Sequence, residues 1–114
     1  MKGYVKYTKM GHGYECPPEN EITTAEECTD ALKWHLELGL NVVKRTALQE
    51  GSWDYVPYGC SYQAGGDSAF HWNKMYQNRL DVPSFINGNY KMICRKGTIM
   101  SIHIGYCQIL EIVE

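Results

Sequence analysis

The sequence predicts an α+β fold: one α-helix, about residues 24–38, packed on a small antiparallel β-sheet and stabilised by disulfides. Three observations lead to it. One stretch, ITTAEECTDALKWHLELGLN, carries helical periodicity together with start and stop signals. Short runs of β-branched and aromatic residues recur elsewhere between turns marked by glycine and proline. Five cysteines, Cys16, Cys28, Cys60, Cys94 and Cys107, are spread through only 114 residues with no CxxC pair. That spacing suits disulfides in an oxidising compartment better than a zinc ribbon or a thioredoxin-type site.

The elements follow in order. GYVKYTK (3–9) alternates lysines with aromatic and β-branched residues and predicts a first strand, and MGHGYECPPENE reads as a loop. In the helix, Thr24 stands three residues before Glu27, the capping-box pattern, and Gly39 suits the left-handed residue beyond the last turn. Cys28, Ala31, Leu32, His35 and Leu38 share one face, so Cys28 is expected to point at the core. NVVKRTAL (41–48) predicts a strand leaving the helix, and EGSWDYVP a connection with Trp53 or Tyr55 turned inward. YGCSYQ and SAFHWN are two short strands about the turn AGGD. KMYQNRLDVPSFINGN is a polar, turn-rich excursion with a tight turn at NGN. YKMICR and TIMSIHI, joined at KG, predict a final hairpin. Residues 1–114 form a single predicted domain, with a core over 14–96 and a C-terminal apolar hairpin or tail over 97–114.

Composition excludes several function classes. With 11 basic and 13 acidic residues, the formal charge of −2 and the lack of a basic stripe argue against a nucleic-acid partner. His12, His35, His71 and His103 are dispersed, without an HxH, HExxH or EF-hand pattern, so neither a metal nor another cofactor is expected. His35, on the inner helix face, reads as a hydrogen-bonded core histidine. Nine tyrosines and three tryptophans against two phenylalanines mean that most rings carry a polar atom, which suits half-buried faces and binding surfaces. No N-x-S/T sequon occurs. MKGYVKYTKM lacks an apolar h-region, so any signal peptide is expected to have been removed.

The stretch YGCSYQAGGDSAFHWN sets a cysteine and a histidine on one expected hairpin. Centring its turn on Gly65 and Gly66 makes residue 63 face 68 and sets Cys60 directly opposite His71. Cys60 as nucleophile, His71 as base and Asp67 or Asp54 as orienting carboxylate would then be feasible. Against this, a cysteine in a disulfide supplies no thiolate. Four paired cysteines allow three connectivities, and spacing does not choose among them. Facing elements favour Cys28 with Cys60, helix to sheet, and Cys16 with Cys94, loop to strand. Cys107 is left over, either as a small buried side chain or as an intermolecular link.

The C-terminal segment holds Ile99, Met100, Ile102, Ile104, Ile109, Leu110, Ile112 and Val113, interrupted by His103, Gln108, Glu111 and Glu114. It is too short and too interrupted to be a transmembrane span. It reads either as a last core strand or as a partner-binding segment in which Ile99, Ile102, Ile104, Cys107, Ile109, Leu110, Ile112 and Val113 dock on another chain.

The order I-T-T-A-E-E-C-T-D-A-L, P-Y-G-C-S, A-F-H-W-N and M-I-C-R-K resembles a small cysteine module of secreted or surface proteins of algae, dinoflagellates especially. The resemblance covers about residues 14–96, anchored on Ile22, Cys28, Ala31, Gly59, Cys60, Asn73 and Cys94. It implies no catalytic residue. His71 and Trp72 make the FHWN stretch bulkier than the module's pattern, and the tail after Arg95 lies outside it. The expectation is a non-catalytic interaction module in an oxidising compartment, either extracellular or an organelle lumen. Its leading form is an accessory subunit docked on a larger, membrane-associated protein assembly, lumenal or peripheral in an algal organelle such as the thylakoid. The alternative is a secreted glycan- or ligand-binding, lectin-like domain, and a Cys–His enzyme ranks below both.

Overall fold

A computed structural model describes residues 6–11, 13–39 and 43–96. Helix α1 (Ala25–Leu38) begins where expected: the Thr24 hydroxyl accepts from the Glu27 N–H at 3.1 Å, and Gly39 closes the helix at φ 65°. The capping box is only half made. Glu27 turns its carboxylate to Arg95, with Nε–Oε2 at 2.7 Å and Nη2–Oε1 at 2.9 Å, so a two-toothed guanidinium contact replaces the return bond to the cap. Cys28, Ala31, Leu32 and His35 are buried as the periodicity requires. Leu38 is not; it lies roughly 80° round the helix from Cys28 at about 100° per residue, off the buried stripe, and is 46% exposed.

Among the described residues the sheet has five strands, in the order β1 (Tyr7–Lys9), β5 (Tyr90–Arg95), β3 (Gly59–Gln63), β4 (Ala69–Asn73), β2 (Gln49–Gly51). It is antiparallel except at one edge, where β2 runs parallel to β4 because the connection after it crosses the end of β4 instead of folding back as a hairpin. The fold is α+β and disulfide-stabilised, as predicted. The strand expected over 41–48 is not found among its described residues; the ladder starts at Gln49. Val43 and Leu48 pack against the core cluster instead, so their apolar character serves side-chain packing and no ladder. The excursion after β4 is more ordered than expected. It holds a 3₁₀ turn (Arg79–Asp81) capped by Asn78 and a one-turn helix α2 (Pro83–Ile86) that buries Phe85. The turn at NGN follows it, with Gly88 at φ 93°. The hairpin expected beyond β5 lies outside the described residues.

The decisive local feature is the β3–β4 turn. Ser68 belongs to it, at φ 48° with its N–H on the Gly65 carbonyl at 2.7 Å. The turn is therefore one residue longer than expected, and Gln63 faces Ala69, Ser61 faces His71 and Cys60 faces Trp72. A register change of one residue exchanges the faces of a sheet. Cys60 and His71 consequently lie on opposite sides.

Each face has its own apolar cluster and its own staple. Under α1, Tyr7, Ile22, Cys28, Leu32, Cys60, Tyr62, Phe70, Trp72 and Ile93 pack together, and Cys28–Cys60 ties helix to β3. On the second face Cys16, Val82, Phe85, Met92 and Cys94 cluster, and Cys16–Cys94 ties the N-terminal loop to β5. These are the pairs that the facing elements favour. Arg79 adds a polar clamp there: it donates from Nε to the Tyr58 carbonyl at 2.9 Å and pairs with Glu21 and Glu15.

Candidate functional site

The hairpin site anticipated from the sequence is not formed. Cys60 is fully buried in a disulfide beneath the helix, and His71 occupies the other face. All four cysteines among the described residues are paired, and those residues contain no group of three or more side chains able to hold a metal ion. Cys107 and the apolar positions of 99–113 lie outside the described residues.

What the second face does build is a pocket of about 280 Å³. Adjacent strands supply its floor: Gln49 from β2 pairs with His71 from β4, and Gln63 from β3 pairs with Tyr90 from β5. Residue 67 of the β3–β4 turn closes one side, and Trp53, Tyr55 and Val56 form another. Asn73 holds that second wall. Fully buried, it donates to the Trp53 carbonyl (2.8 Å) and the Val56 carbonyl (2.6 Å) and accepts from the Trp53 and Met75 N–H groups (2.9 and 3.1 Å). Its four hydrogen bonds use the whole capacity of the amide. Val56 is therefore the residue turned fully inward; Trp53 is half-buried and Tyr55 is 54% exposed. Gly51 allows the indole to settle, since a Cβ there would come within 2.5 Å of a Trp53 ring carbon.

His71 is the centre of this surface. Trp53 and Tyr90 each stand edge-on to its ring, at 5.5 Å. Its Nδ1 lies 3.2 Å from the Ala69 carbonyl, which can only accept, so Nδ1 carries the proton and the neutral ring presents a lone pair at Nε2. Nε2 faces Asp67 Oδ2 at 3.9 Å. Asp67 is balanced by Arg45 Nη2 at 3.4 Å, and Arg45 also donates to Gln49 Oε1 at 3.1 Å. Burial pushes the His71 pKa below its ordinary value and Arg45 adds to this, against opposing contributions from the Ala69 carbonyl and Asp67. Burial likewise pushes Tyr90 up to about 12, with Tyr55 and Asp67 adding to the effect. At neutral pH the floor thus holds an uncharged imidazole and an un-ionised phenol. Ser61, across from His71, is fully buried with no partner for its hydroxyl among the described residues.

Asp67 is the carboxylate that faces His71, one of the two the sequence offered for that place. Gln49, Gln63, Tyr90 and Arg45 are pocket or supporting residues that sequence reasoning missed. A period-2 reading of YGCSYQ against SAFHWN sorts Gln63 and His71 onto one face only once the register is known, so the available signal was real but incomplete. Comparison of the chain with protein-family models, with curated proteins and with solved structures returns no match.

Proposed function

We propose that the chain is a non-catalytic, disulfide-stabilised binding module of an oxidising compartment, secreted or within an organelle lumen, that takes a small polar ligand in the pocket around His71. One observation carries this reading: polar side chains of four adjacent strands and the half-exposed rings of Trp53 and Tyr55 converge on one concavity. Ligand pockets combine aromatic walls with a few placed polar groups in this way, and about 280 Å³ suits something smaller than a drug-sized molecule. The reading is non-catalytic because Cys60, the nucleophile that the sequence offered to His71, is held in a disulfide on the opposite face of the sheet. A library of small polar fragments screened by amide chemical shifts on the labelled full chain tests the reading. Hits that move the amides of residues 53–56, 67 and 71 support it; hits confined to other surfaces, or none, refute it.

The accessory-subunit form of the proposal rests on the apolar composition of 99–113. Deleting residues 97–114 should abolish co-elution of the native protein with its assembly while leaving both disulfides intact. A deletion that still co-elutes refutes docking by that segment.

A further inference from the structure

We infer that the ligand of this pocket is a neutral sugar residue, its hydroxyls donating to the paired acceptors His71 Nε2 and Asp67 Oδ2 and its apolar face lying on the Trp53 and Tyr55 rings; this rests on the reading of the pocket as a ligand site. With Nδ1–H committed to Ala69, Nε2 can only accept, and the Asp67 carboxylate 3.9 Å away can only accept as well. Two acceptors cannot bond each other. A ligand that fits them donates twice from neighbouring atoms, as adjacent hydroxyls of a pyranose do. The Tyr90 hydroxyl, on a residue 4% exposed, has no hydrogen-bond partner among the described residues, and the Gln63 amide offers a donor and an acceptor beside it.

Charge narrows the choice. Asp67 is the one formal charge in the lining, and Arg45 at 3.4 Å compensates it from outside. Arg45 is already shared between Asp67 and Gln49, and the lining formed by the described residues holds no other cation to attract a phosphate or a carboxylate. A balanced carboxylate gives an ammonium group little advantage either. The site favours a ligand that is uncharged, rich in donors and apolar on one face. Sugars match all three, since their ring C–H groups pack on aromatic faces while hydroxyls reach the polar floor.

Protonation supplies an independent signature. The titratable or charged groups around His71 are Asp67 from the turn, Arg45 from the segment before β2, Tyr90 from β5 and Tyr55 from the wall; β2 and β3 contribute only uncharged side chains to the pocket. A proton on Nε2 would bond to Asp67 and close the acceptor pair. Sugar binding should therefore hold at neutral pH and fall off only below the ordinary imidazole value of 6.5.

The test is a chemical-shift titration of the labelled full chain with the methyl glycosides of glucose, galactose, mannose and N-acetylglucosamine and with oligomers of the same sugars. Inorganic phosphate and choline serve as charged counter-probes. At least one glycoside or oligomer should move the Trp53 indole N–H and the amides of Gln63 and Asp67. Tyr90→Phe, which keeps the packing, should weaken that binding roughly five- to tenfold, as loss of one hydrogen bond does. Gln63→Ala, at a partly exposed position, serves as a second variant with the same expectation. Equal response to monomer and oligomer assigns a free sugar, and response to oligomers alone assigns a glycan chain; both support the inference. Phosphate or choline moving these resonances while no sugar does would overturn it and leave the pocket a ligand site. Silence from every probe also overturns it, and the underlying reading falls only if the fragment screen is silent too.

Discussion

Asn73 shows how one side chain converts a strand end into a pocket wall. Its side chain is fully buried and makes four hydrogen bonds to loop backbone. Replacing it by alanine leaves the part-buried Trp53 N–H and carbonyl without their partner, while the Val56 carbonyl keeps only its bond from the Gln77 amide. Asn73→Ala should lose roughly 2–3 kcal/mol of stability in urea unfolding. The indole of Trp53 should also lose its shift dispersion, because the wall is no longer held. Gly51 acts at the same scale by omission. Gly51→Ala should displace Trp53 and disturb the pocket while leaving the disulfides unchanged. The left-handed Ser68 completes the residue-level picture, since its place in the turn decides which way His71 points.

At the scale of elements, α1 is held by devices that act locally and by one that does not. The Thr24 cap is local, and Thr24→Ala should reduce stability by about 1 kcal/mol with no change in helix position. Equilibrium denaturation with circular dichroism at a helical wavelength measures this directly. The long-range device is the Cys28–Cys60 bridge, which closes a loop with a sequence separation of 32. By restriction of the unfolded chain it contributes on the order of 4 kcal/mol, and the double replacement Cys28→Ala with Cys60→Ala should show a loss of that order. Retention of full stability would mean that helix docking relies on the apolar cluster alone. His35 belongs to the same contact: its ring stands against Phe70 at 5.2 Å and its Nδ1–H donates to the Ala31 carbonyl at 2.8 Å. Thr24, Glu27, Gly39 and the buried residues of α1 were all legible because a helix is written in spacings of three and four. Glu27 departed from its expected role only where Arg95, 68 residues away, offered a better partner.

The whole molecule is a sheet clasped on both faces, each by one disulfide, and its response to pH follows from what those faces bury. His35 under the helix and His71 on the pocket face both titrate below 6.5, burial being the main cause for each. The unfolded chain therefore takes up their protons first as the pH falls. Their contribution is complete above about pH 6.5 and drains away as the pH drops toward the folded values. The urea midpoint should be level just above neutrality and decline below it, and His35→Gln and His71→Gln should each flatten the decline. A profile unchanged in both variants would exclude the histidines as its source. At the alkaline end Tyr90 should resist ionisation until about pH 12, visible as a late step in the ultraviolet titration of the tyrosines.

The sequence by itself determined the helix with its Thr24 and Gly39 caps, the approximate places of the β3 and β4 strands and the presence of a glycine turn between them. With the helix face known, it also pointed to both disulfide partners. These are matters of short-range periodicity and of which side chains can face each other. Only the tertiary structure decided the register of the hairpin, the parallel pairing of β2, the burial of Phe85 and Val82 over the second face and hence the pocket. The β2 pairing and the burial of Phe85 and Val82 depend on contacts between residues far apart in the chain, while the register turns on the left-handed backbone of Ser68, where a turn longer by one residue exchanges the two faces of a sheet. Cys60 and His71, neighbours in the linear reading, are parted by that single residue: one became a staple under the helix and the other the centre of the pocket face.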